Sequence, residues 1–99
     1  MKIAIASDHA GVGYKIQLVN YLKTKKVEVK DFGPMNEERV DYPDYAHPVA
    51  NAVEKKDTDL GILLCGSGNG INMSANKHQA VRSALCWKKE IAELARLHN

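Results

Sequence analysis

Cys65-Gly66-Ser67-Gly68-Asn69-Gly70 sets a thiol and a hydroxyl among three glycines, directly after the apolar run Leu60–Leu64. Glycine lets a backbone take positive φ and approach a ligand closely. Successive N–H groups leading into a helix can gather an anion, either a phosphate or an enediolate oxygen. The loop has neither the GxGxxG order of a dinucleotide site nor the Lys-Ser/Thr of a phosphate-binding P-loop, so it does not point to a nucleotide. A tight strand-to-helix turn uses glycines in the same way, and the loop alone leaves both readings open. A thiol beside such amides has its thiolate favoured, and a thiolate can act as a general base. A lone cysteine is also a common core residue, so position alone leaves the role of Cys65 evenly divided. Cys86 has no glycines beside it and reads as core.

Asp8-His9 follows another apolar run, Lys2–Ala6. A carboxylate and an imidazole there can handle a proton and an anion. Asp8 is equally placed to cap the helix that follows, and the two roles are compatible. His98 ends the last helical segment, where an imidazolium would suit the helix dipole, and a terminal histidine is equally a plain surface residue. His47 and His78 have no supporting constellation and read as surface or capping residues.

The elements that must position these groups alternate between strand and helix. Lys2–Ala6 reads as a buried strand. Val12, Ile16, Val19 and Leu22 recur at helical spacing, with Gly11 and Gly13 at the helix start, where close backbone approach would matter. Val27–Phe32 alternates as a strand and stops at Gly33-Pro34. A polar loop over 35–42 precedes the helical positions Ala46, Val49, Ala50 and Val53. Pro48 conflicts with a helix beginning at Pro43, so the regular helix is expected near Tyr45, or kinked. Leu60–Leu64 is the best central strand. A helix over Ile71–Lys77, a weaker strand over Val81–Cys86 and a last helix marked by Trp87, Ile91, Leu94 and Ala95 complete the chain. Strands separated by helices imply a parallel sheet covered on both faces. Ligands of such sheets bind beyond the carboxyl ends of the strands. That rule selects Ser7–His9, Tyr42–Asp44 and Cys65–Gly70.

With 99 residues, 44% of them apolar and 26% charged, the composition fits one globular domain. The net charge of +2 is spread along the chain, which argues against a nucleic-acid surface. No apolar run approaches the roughly 20 residues of a membrane span. Met1 leads straight into a strand, with none of the architecture of a signal peptide. A cytoplasmic, reducing location and free cysteines are therefore expected.

Ser7-Asp8-His9-Ala10-Gly11, Asp41-Tyr42-Pro43, Cys65-Gly66-Ser67-Gly68-Asn69-Gly70-Ile71, Ala75-Asn76-Lys77 and His98-Asn99 occur in order and at suitable spacing. Together they resemble the type B ribose-5-phosphate isomerases, a family that includes the galactose-6-phosphate isomerase subunits. The resemblance covers the whole chain and implies an α/β/α sandwich on a parallel, Rossmann-like sheet. It implies interconversion of ribose 5-phosphate and ribulose 5-phosphate through a cis-enediolate, as in the pentose phosphate pathway, without metal or other cofactor. Cys65 would be the base that moves the carbon-bound proton. Some members use a glutamate at the position of Ile71, which places this chain in the cysteine subgroup. The amides from Gly66 to Gly70, Asn69 included, would form the oxyanion site, with Ser67, where threonine is frequent, hydrogen-bonding substrate oxygens. Asp8 would bind sugar hydroxyls and His9 the phosphate, with Tyr42 lining the pocket. His98 would open the sugar ring and Asn99 bind the enediolate end, both supplied across a homodimer or homotetramer with shared sites.

Keeping Cys65 with His98 favours ribose over galactose 6-phosphate; a six-carbon sugar such as allose 6-phosphate stays open. So do a non-catalytic sugar-phosphate-binding module on the same fold and another doubly wound enzyme. The resemblance further implies that residues 1–99 form one sugar-phosphate isomerase domain that is incomplete at its C-terminal side. The family's final strand, a long helix and a tail with phosphate-gripping arginines would be absent. That strand lies between the third and fourth, so Leu60–Leu64 and Val81–Leu85 would lose their neighbour. The free-standing chain is then expected to be unstable, or to pair its third and fourth strands differently.

Overall fold

The alternating apolar and small residues of the first run make it the axis of the sheet. In a computed structural model describing residues 1–99, Lys2–Ser7 forms strand β1, buried from Ile3 onward. β2 (Glu28–Asp31) and β3 (Leu60–Leu64) flank it in the order β2-β1-β3, all parallel. Ile3 is registered with Val29 on one side and Leu60 on the other, and Ser7 reaches Leu64. Successive side chains of a strand point to opposite faces. Ala4 and Ala6 pack on one face with Val49 and Ala52 of helix α2 (Pro43–Glu54). Ile3 and Ile5 therefore bury into the other face, and helix α1 (Val12–Thr24) packs against β1 and β2. Helices α3 (Asn69–Ala75), against α2, and α4 (Lys89–His98) complete the chain. The expected α/β/α layering on a parallel sheet is present.

Lys15 is buried and closes α1 onto β2. Its Nζ meets both carboxylate oxygens of Asp31, at 2.8 and 3.0 Å. Asp31 Oδ1 also accepts the Gly33 amide at 2.8 Å, so the pair is hydrogen-bonded as a buried ion pair must be. α2 begins at Pro43, two residues before the expected start, and continues through Pro48. Pro43 occupies the first turn, where no intrahelical N–H is needed; only Pro48 removes a bond from the ladder.

Three sequence-based readings are corrected. Val81–Cys86 is not a strand: it has no regular structure and no sheet partner, and β3 is an edge of the sheet. It does not pair with β3 in any register. Cys86, read as core, is exposed, because the segment that would have buried it packs into no sheet. His47 and His78, read as surface or capping residues, are half-buried and joined, with His47 Nδ1 2.8 Å from His78 Nε2. His78 Nδ1 lies 3.3 Å from Glu54 Oε1, and Glu54 Oε2 accepts the Ala80 amide at 2.9 Å. This chain of contacts ties the start of the unpaired segment to the end of α2.

The Ala80 amide and then His78 hold the Glu54 carboxyl below its ordinary value of 4.5. A depressed carboxyl pKa contributes stability that is present above 4.5 and is lost as pH falls through the lower folded value. Glu54→Gln is therefore expected to lower the thermal midpoint at neutral pH. The gap to the unaltered chain should close in acid; a gap constant with pH would remove Glu54 as the source.

Between β3 and this unpaired segment lies a mostly apolar cleft of about 1220 Å³, bordered by Gly61 to Gly68 on one side and Ala80 to Trp87 on the other. The accessible surface is 6766 Å², against about 5,600 Å² for a compact monomer of this mass. The excess arises where the sheet ends: Leu60 is 41% exposed, and α4 buries no residue although Leu94 and Leu97 mark an apolar side.

Candidate functional site

The carboxyl ends of β1 and β3 lie side by side, and the two chemistry-bearing turns leave from them. The Asp8 amide donates to Leu64 O at 2.9 Å, extending the ladder by one bond past β1. Asp8 then caps the 3-10 turn His9–Gly11: Oδ1 accepts from the amides of Ala10 and Gly11, at 2.9 and 3.0 Å. The expected capping role is present. Oδ2 has no protein donor and is free for a ligand. Gly11 presses on β3 so closely that a Cβ there would sit 2.9–3.0 Å from Leu64 Cβ, C and O, which explains the glycine at the helix start. A Cβ on Gly66 would meet Ala10 Cβ at an ordinary 3.7 Å. The two turns are thus locked together at their bases.

Cys65 follows β3 as a free, half-buried thiol that also borders the cleft. Gly68 takes φ +81°, a left-handed conformation that a side chain resists, and turns the chain into α3. Ser67 Oγ accepts the Asn69 amide at 3.2 Å. The amides of Gly66, Ser67, Gly68 and Gly70 donate to no protein acceptor. The loop therefore offers a thiol at its start and uncommitted donors after it, an arrangement suited to taking a proton from carbon while holding the resulting oxyanion.

The loop 35–42 reaches both turns. The Val40 amide donates to His9 Nδ1 at 3.2 Å. Tyr42 lies against Gly70, where a Cβ would come within 2.6–3.0 Å of the phenol ring. Tyr42 is legible in the sequence but Val40 is not, since its contribution is a backbone amide and carries no side-chain signal. Asp8, His9, Tyr42, Cys65 and the loop Gly66–Gly70 are thereby brought into one linked set. His98 and Asn99 end α4 and are exposed; Asn99 borders the cleft that Cys65 borders, whereas His98 does not.

The model of the family described as Ribose/Galactose Isomerase matches residues 3–99. The chain belongs to the ribose/galactose isomerase family. Among its relatives is the Escherichia coli protein named ribose-5-phosphate isomerase B, 45% identical across 99% of this chain and 66% of that protein. A solved Thermotoga maritima ribose 5-phosphate isomerase superimposes with a TM-score of 0.97 at 50% identity, covering 99% of this chain and 68% of that one. The Mycoplasma genitalium ribose-5-phosphate isomerase B, solved with bound ribulose-5-phosphate, gives 0.92 at 47% identity, covering 98% and 65%. This member of the family spans about two thirds of the length of the curated relatives it matches.

Proposed function

We propose that the chain carries the proton-transfer site of an aldose–ketose isomerase interconverting ribose 5-phosphate and ribulose 5-phosphate. The observation that carries this reading is Cys65: a free thiol at the end of β3, followed by uncommitted amides, in a member of the ribose/galactose isomerase family. The ribulose-5-phosphate complex of the Mycoplasma genitalium relative supports a pentose phosphate as substrate.

In this reading the ring-opened aldose lies with carbons 1 and 2 beside Cys65. The thiolate takes the proton from carbon 2. The electrons of that C–H bond form the carbon 1–carbon 2 double bond, and the carbonyl electrons move onto oxygen 1. The amides of Gly66, Ser67, Gly68 and Gly70 stabilise this oxyanion, with Asn69 beside it. The Ser67 hydroxyl hydrogen-bonds the sugar oxygens while a proton passes from oxygen 2 to oxygen 1. Return of the proton to carbon 1 yields the ketose. Asp8 Oδ2 holds sugar hydroxyls, His9 the phosphate, and Tyr42 forms a wall.

His98 opens the ring and Asn99 binds the enediolate end, both acting in a partner subunit's site within a homodimer or homotetramer. The exposure of His98, and the apolar side of α4 left without a neighbour, support that sharing. No helix is long and apolar enough to cross a membrane. In this reading the activity is cytoplasmic, where phosphorylated sugars are held. Incubation with ribose 5-phosphate in deuterium oxide tests the reading. Label should enter the carbon-bound position. Binding of the sugar phosphate without labelling would replace the enzyme by a binding module.

A further inference from the structure

At their bases the two turns of the site are held by backbone, through the Asp8 amide on Leu64 O and the packing of Gly11 on Leu64. Their outer ends, the His9 ring and Gly70, have no such direct tie. Residues 40–42 touch both. The Val40 amide holds His9 Nδ1, and two residues later the Tyr42 ring lies on Gly70.

Each contact has a directional consequence. A nitrogen that accepts a hydrogen bond carries no proton of its own, so Nδ1 is the acceptor and Nε2–H is the edge left for a ligand. Gly70 has no Cβ, and any Cβ would displace the Tyr42 ring. Tyr42 O also accepts the Tyr45 and Ala46 amides, at 3.1 and 3.0 Å, so the start of α2 and the seat of the ring on Gly70 together hold residues 40–42, and with them the amide that orients His9. Tyr42 is 40% exposed, so the ring is not fixed by core packing and its seat on Gly70 matters.

We propose that residues 40–42 are a strap that sets the span between His9 and the glycine loop, and thereby selects the carbon-chain length of the sugar phosphate. Tyr42 and the Val40 amide act as positioning groups; neither handles the reacting proton. The inference rests on the proposed function in one respect: His9 takes the phosphate end and the loop takes carbons 1 and 2. In this proposal the strap holds the span for a five-carbon chain. A six-carbon chain is longer by one CHOH unit, and a fitted pocket discriminates even a single methylene by about 10- to 200-fold.

The test compares ribose 5-phosphate with allose 6-phosphate on the full chain and on Tyr42→Ala and Val40→Pro. Affinities are read by NMR titration, and deuterium incorporation is read separately. The ratio of affinities favouring the five-carbon sugar should fall about tenfold in Tyr42→Ala. In the ligand-free protein the His9 ring ¹⁵N signals should move in both variants, since Tyr42 acts on His9 through Val40. A ratio that stays within twofold, with both sugars weakened equally or not at all, overturns the strap. So do unchanged His9 signals in Tyr42→Ala. A ratio that shifts in a chain that labels neither sugar upholds the strap and defeats the isomerase reading.

Discussion

Cys65→Ser is expected to lower the rate of deuterium entry into ribose 5-phosphate by about 10²- to 10⁴-fold, the range that a positioned general base supplies. The exchange replaces Sγ by a hydroxyl of similar size, whose far higher pKa leaves almost no anion to take a proton from carbon. Cys65 is half-buried and its thiol makes no hydrogen bond within the protein, so the substitution leaves no partner unsatisfied. The amides that follow it belong to the backbone and are unaffected. Sugar-phosphate affinity should therefore change little while turnover collapses, the signature of a group acting only in the transition state. Equal labelling by the two proteins would remove Cys65 as the base. Cys86 serves as the internal control. It is exposed and lies outside the glycine loop, so Cys86→Ser should label at the original rate.

The second large effect concerns where the fold holds. Amide hydrogens of β1 should be protected to the full unfolding free energy, whereas those of Val81–Cys86 and α4 should exchange with protection close to zero. β1 is bonded on both sides and buried from Ile3 to Ser7. Val81–Cys86 has no sheet partner, and α4 buries no residue. Local opening spans this whole range within one protein, and elements with few buried apolar contacts lie at its low end. Only 18 of 99 residues are buried, so the global stability is itself expected at the low end for a domain. An apolar peptide added as a strand along β3 would raise protection on both walls of the cleft. Uniform protection across β1, Val81–Cys86 and α4 would contradict this partition and restore Val81–Cys86 as an integral strand.

Much of the architecture could be read directly along the chain. Leu60–Leu64 and Lys2–Ala6 are apolar runs bounded by polar turns, and such runs have few alternatives to a buried parallel strand. Asp8 reads both as a cap and as a candidate ligand-binding group; Oδ1 caps, and Oδ2 is left without a protein donor. The misreadings share a cause. Val81–Cys86 has the local composition of a strand, but a strand exists only where a neighbour supplies its hydrogen bonds, and β3 and this segment stand on opposite sides of a cleft. Residue type alone favours burial of Cys86, and its exposure follows from that same missing neighbour. His47 and His78 lie 31 positions apart, so no spacing rule could join them.

For function the division is similar. Sequence by itself determined the chemistry on offer: a thiol opening a glycine loop, a carboxylate and an imidazole at a second strand end, and the motif order of the ribose/galactose isomerase family. Those are properties of residue type and local spacing. Only the tertiary structure decided which groups share a site and how they are held. Parallel pairing of β1 with β3 puts the Asp8 turn against the Cys65 loop, and the Val40 amide and the bare Cα of Gly70 then orient His9 and seat Tyr42. A backbone amide is present at every residue but proline, and an absent Cβ matters only when something occupies its place, so neither can be read until the chain has folded. The thiol that could take a proton is therefore legible in the sequence, whereas its placement relative to Asp8 and His9 is a property of the fold.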